Sequence, residues 1–136
     1  MLNKTGIKKE TYGNVPQILF ATQHQVSMGI VVDEAAGTAD STGRKIVKAG
    51  TPLTGSLDAR TTAFTKAVTS GDGSATPYSS NAVGVLLHDV DVTAGDANGT
   101  LLIFGFVNTN RIDETTKALI TQPVKDALNM IKFVVC

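Results

Sequence analysis

Ala82-Val83-Gly84-Val85-Leu86-Leu87-His88-Asp89-Val90-Asp91-Val92 is followed, after Thr93-Ala94-Gly95-Asp96-Ala97-Asn98-Gly99, by Thr100-Leu101-Leu102-Ile103-Phe104-Gly105-Phe106-Val107-Asn108. Both outer runs are rich in β-branched and large apolar residues, which favour strands. The link between them holds Asn-Gly, a pair that tolerates positive φ and marks hairpin reversals. The stretch therefore predicts two paired strands over 82–92 and 100–108, with the reversal at 93–99.

Outward from this hairpin the pattern stays mostly β. Residues 18–20 and 26–32 are apolar and strand-forming. A Thr/Ser/Gly/Asp loop runs to Gly43, and a short strand at 45–49 ends at Gly50-Thr51-Pro52. Residues 53–57 suit a brief strand or turn, and 61–68 fit strand or helix. Residues 70–81 make a long polar connection, a length that goes with either function or looseness.

Beyond Asn108 the period lengthens. Asp113 is placed to cap a turn at 114–116, and Thr121-Gln122-Pro123 suits a helix start, since Pro is tolerated in the first turn. Val124, Ala127, Leu128 and Ile131 follow at helical spacing. Phe133-Val134-Val135 reads as a closing strand. Residues 1–17 mix lysines and glycines with isolated apolar residues and no period, and they read as an arm preceding a single domain over 18–136.

The bulk figures fit one mainly β domain with a short helix. The chain has 136 residues, enough for a core without metals or disulfides. With 5% aromatics and no Trp, the core is expected to be Val, Ile, Leu and Ala, with Phe20, Phe64, Phe104, Phe106 and Phe133 as its large pieces. Twelve basic and twelve acidic residues cancel, which argues against a nucleic-acid footprint or polybasic attraction to a membrane. It also leaves little long-range repulsion against close packing of many copies. Cys136 is the only cysteine, so an intrachain disulfide and a Cys-based zinc site are both excluded. Neither a signal-peptide pattern nor a run of roughly 20 apolar residues is present, and the expectation is a soluble chain made in the cytoplasm.

Candidate chemistry is sparse. His88, Asp89 and Asp91 lie close in sequence, but on a regular strand His88 faces away from the two carboxylates, so they do not converge on a metal. Asp96-Ala97-Asn98-Gly99 has a fragment of a calcium loop without the flanking helices that loop needs. His24 and His88, the two imidazoles, sit in no nucleophile or triad signature, Cys136 would be reactive only beside a base in a formed pocket, and no glycine-rich loop leads into a helix to cradle phosphate. The expectation is a non-enzymatic, structural chain with no catalytic residues, cofactor or metal.

The segment 82–90 followed by 101–108 resembles the central hairpin of tailed-bacteriophage head decoration proteins of the lambda type. Upstream, Lys45-Ile46-Val47-Lys48-Ala49-Gly50-Thr51-Pro52-Leu53 is similar to the strand and turn that precede the hairpin in that family. Downstream, the Pro123 helix and the strand at 131–135 follow the family's order, so the resemblance covers about residues 43–136. It implies a compact β-barrel or β-tulip-like domain with a short C-terminal helix and an extended N-terminal arm. It further implies a structural virion protein that binds the outer surface of the expanded capsid as homotrimers at local three-fold positions. The partner would be the major capsid protein, and neither nucleic acid nor membrane is involved. In lambda-type members the arm orders on the shell, which makes Leu2, Ile7, Tyr12, Val15, Pro16 and Ile18 the capsid-contact candidates. Two other readings stand beside it: the base of a head fibre or adhesin anchor, and a small ligand-binding β-barrel or enzyme. The last predicts a concave pocket with converging polar groups, whereas decoration predicts an exposed apolar patch.

Overall fold

The computed structural model describes residues 17–21 and 23–135. Cys136 and all but the last residue of the arm expected at 1–17 lie outside them. The fold is mainly β, built from several sheets and two short helices.

Its spine is one long strand, here β9 (Ala97–Asn108). Along one edge of β9 runs β1 (Val26–Val32), antiparallel, with Met28 opposite Leu101 and Ile30 opposite Gly99. Residues 18–20 continue that edge: Leu19 bridges Val107, and the Phe20 amide donates to the Phe106 carbonyl at 2.8 Å. Along the other edge lie β7 (Gly84–Leu86), antiparallel, and β10 (Ile131–Val134), parallel to the last part of β9. Beyond β7 come β3 (Pro52–Thr54) and β4 (Thr65–Lys66), giving the order β1-β9-β7-β3-β4 with β10 branching from β9. Two small pairs complete the architecture: β2 (Ile46–Val47) with β8 (Val90–Asp91), and β5 (Thr69–Ser70) with β6 (Ser79–Ser80). The helices α1 (Glu114–Lys117) and α2 (Gln122–Ala127) carry the chain from β9 to β10, a crossover that parallel pairing requires.

Burial explains why the central apolar runs are unbroken. Leu101 and Leu102 point to opposite faces of β9, yet both are fully buried; Val85 and Leu86 repeat this on β7. Leu102 and Val85 join a core with Ile18, Val107, Val124, Leu128 and Ile131. Leu101 and Leu86 join a second core with Ile30, Val32, Val47, Leu53 and Phe64. The two central strands thus divide two cores, and a strand covered on both faces reads as a continuous apolar run.

Several expectations change. The barrel does not close. The sheet's outer strands approach through Phe64, whose amide donates to the Val31 carbonyl and whose carbonyl accepts from the Asp33 amide, at 2.7 and 2.8 Å. Residues 82–92 are two strands, since the chain leaves β9 after Leu87 and pairs Val90 with Val47 instead. Asn98-Gly99 is not the reversal: both residues lie within β9, opposite Val31 and Ile30. The chain turns earlier, at Gly95, whose φ of 133° is open to glycine. Gly99 is needed for space, because a Cβ there would lie 2.9 Å from Val32 Cγ2 and 3.0 Å from Val90 Cγ2.

Of the five phenylalanines only Phe64 is buried; Phe20 is 56% exposed and Phe104 36%. The connection at 70–81 is an ordered hairpin, closed at its tip by the Asp72 carboxylate, which accepts from the Ser74 and Thr76 amides. Residues 61–68 resolve as a strand at β4. Helix α2 starts where Pro123 placed it, but neither Thr121 nor Asp113 caps its helix through the side chain. Val124 and Leu128 are buried as the stripe predicts; Ala127 is exposed, and Ile131 reaches the core from β10.

Candidate functional site

A groove of about 450 Å³ opens where the start of β1, the middle of β9, the loop after β3 and the end of α2 meet. Val26, Leu57, Val83, Ile103, Phe104 and Met130 form most of its wall, with Ala82 and Leu128 of the core at its floor. Four of these side chains are unusually open for large apolar residues: Met130 at 58%, Val26 at 50%, Leu57 at 44% and Phe104 at 36%. Among the described residues no lining side chain is charged, and Asn129 is the one polar side chain. These described side chains include no group to transfer a proton or attack a carbonyl. Such a surface removes apolar area from water when something covers it.

β9 exposes this wall because its regular alternation breaks. The pairing with β1 shifts register between Val26 and Ser27, leaving Ile103 as an extra residue on β9. A bulge of this kind re-aims side chains, and here Phe104 comes out beside Val26 instead of entering either core.

The residues singled out from sequence go elsewhere. Asp89 accepts from the Ala49 amide at 2.7 Å and lies 3.8 Å from Lys48 Nζ. Asp91 accepts from the amide and hydroxyl of Thr93 and lies 3.8 Å from the Arg44 guanidinium. His88 Nδ1 is buried without a hydrogen-bond partner among the described residues. Asp96 accepts from the Glu34 amide. Among the described residues no group of three His, Cys, Asp or Glu side chains is placed to hold a metal ion, and no helix is long and apolar enough to cross a membrane. Of the capsid-contact candidates, Leu2, Ile7, Tyr12, Val15 and Pro16 lie outside the described residues. Ile18 is corrected: it is fully buried in the first core, held by the Asn108 amide donating to its carbonyl, so it anchors the domain instead of facing a partner.

Three surface carboxylates hold turns and are drawn below the ordinary value of 3.8. Asp91 is lowered by the Thr93 hydroxyl and amide and by Arg44, Asp40 by the Thr42 hydroxyl and amide and by Arg44, and Asp72 by the Ser74 and Thr76 amides. A carboxylate with a depressed folded value adds stability above its unfolded value, and that contribution disappears as pH falls through the folded value. The turns at 40–44, 72–76 and 91–93 are therefore expected to open below pH 3.8. The check is an acid titration followed by amide hydrogen exchange, in which the Thr42, Ser74 and Thr93 amides lose protection before those of β9.

The groove was hidden in the sequence because Val26, Leu57, Phe104 and Met130 come from four separate segments. Each alone is indistinguishable from a core residue. Compared with protein-family models, curated proteins and solved structures, the chain matches none of them.

Proposed function

We propose that this chain is a structural virion protein that binds the outer surface of a phage capsid and stabilises the expanded head. The observation that carries the reading is the order of its elements. A short strand (β2) leads through the turn at Gly50 into β3; the apolar β7–β9 pair, the Pro123 helix α2 and the closing strand β10 follow. This is the order on which the resemblance to lambda-type head decoration proteins rests, and a β-tulip-like outline belongs to the same reading. The exposed, uncharged groove supports it, since a protein that works by covering a shell needs apolar surface and no reacting groups. In this reading the chain is no enzyme, its partner is the major capsid protein, and it sits as a homotrimer at local three-fold positions on the virion. Several arms per trimer would add avidity to a modest single-site affinity.

The test is co-sedimentation of purified protein with expanded and unexpanded shells of the phage that encodes it. The expected result is saturable binding to expanded shells and little to unexpanded ones. Binding to neither sinks the proposal.

A further inference from the structure

Beside the groove lies a strand edge that no described strand covers at its start. Val31 and Asp33 turn their backbone groups away from β9 to bond Phe64, and the Gly29 carbonyl, two residues earlier, accepts from Arg60 Nη1 at 3.3 Å. By the two-residue period of a strand, Ser27 turns outward as well. Outside the β1–β9 ladder, no described residue is hydrogen-bonded to the amides of Ser27 and Gly29 or to the carbonyl of Ser27. Val26, the next residue, lines the groove. Unpaired edge groups next to an apolar groove are the two parts of strand addition: main-chain bonds give affinity, and the groove takes alternate side chains.

The size of the groove narrows the occupant. Its four open side chains offer on the order of 300 Å² of apolar surface, well below the ~800 Å² per partner of a stable face between globular subunits. That area suits two or three side chains of an extended segment. The chain's own residues 1–16 are a poor match. Leu2, Ile7, Tyr12 and Val15 are never two apart, so no two of them stand next to each other on one face of an extended strand, and Lys8, Lys9 and Glu10 interrupt them.

We propose that the β1 edge and its groove receive an extended, uncharged segment of the capsid protein, apolar at alternate positions, which pairs with Ser27 and Gly29 and buries its side chains beside Phe104, Leu57 and Met130. The identity of the partner rests on the functional reading above.

Two full-length variants test this on expanded shells. Ser27→Pro deletes an outward amide that the fold does not use, as an edge strand tolerates. Met130→Asp puts a charge into the groove from an exposed position. Each is expected to weaken co-sedimentation at least about tenfold with the melting temperature held near wild type, whereas Val68→Asp, an exposed apolar position outside the groove, leaves binding unchanged. A photo-crosslinker in place of Met130 should join the capsid protein. Wild-type binding with both variants equally tight overturns this inference alone. So does a crosslink to a second copy or to the chain's own N-terminal residues, or no crosslink on shell-bound protein. Wild type that binds neither shell overturns the functional reading and this one with it.

Discussion

Phe64→Ala is expected to lower stability by about 3–5 kcal/mol, the range for deleting a fully buried aromatic ring. In a domain of this size that is a fall in melting temperature of roughly 10 °C or more. Three consequences of one residue add up here. The ring is fully buried in the second core and is the only phenylalanine committed to it. Its backbone ties β1 to the segment before β4 through bonds to Val31 and Asp33, so the position of that segment depends on the ring staying seated. Gly55 leaves no Cβ against the ring: one would lie 2.5 Å from Cδ2, so the neighbouring backbone is already as close as it can come and little is available to collapse into the hole. Phe20→Ala, at a site more than half exposed, is expected to cost about 1 kcal/mol. Calorimetry of both variants checks the contrast. Equal melting temperatures would show that the two rings are equally dispensable and that the second core is not organised around Phe64.

That contrast marks where the sequence was readable and where it was not. The β character of 82–108, the helix at Pro123 and the closing strand follow from local preference and period, and all three are present. Leu101-Leu102 and Val85-Leu86 announce two-sided burial by breaking the alternation, though not which core each residue enters. Which phenylalanines are buried was illegible, because a pairing irregularity at Val26 and Ser27, and not the spacing along β9, decides where Phe104 faces. Asn98-Gly99 misled for a related reason. The pair suits a turn, but Gly99 serves the crowded crossing of Val32, Val90 and Leu86, contacts made across long sequence separations. The groove is the least legible part, since it exists only once four segments meet.

Gly84→Ala is expected to destabilise by about 2 kcal/mol or more, a large effect for one methyl group. The reason is not backbone conformation, for Gly84 is not among the glycines with positive φ. It is space. An added Cβ would lie 2.6 Å from the Leu102 carbonyl oxygen and 2.8 Å from Leu101 Cδ1. A side chain can rotate out of such a contact, but a carbonyl in the middle of β9 cannot. Relief requires β7 and β9 to separate where Val85 pairs with Leu102 and Leu86 with Leu101, at the boundary between the two cores. Gly29→Ala supplies the opposite case: on the edge strand of the same sheet, no atom of the described residues lies within 4 Å of its added Cβ. There the substitution chiefly restricts the unfolded chain and should be neutral or stabilising by up to about 1 kcal/mol. The same chemical change therefore carries opposite signs at two glycines of one sheet, and urea denaturation of the pair reads the difference directly. If Gly84→Ala proved as harmless as Gly29→Ala, β7 could move away from β9 at little cost, and the Val83-Gly84-Val85-Leu86 segment would not require its glycine for close strand packing.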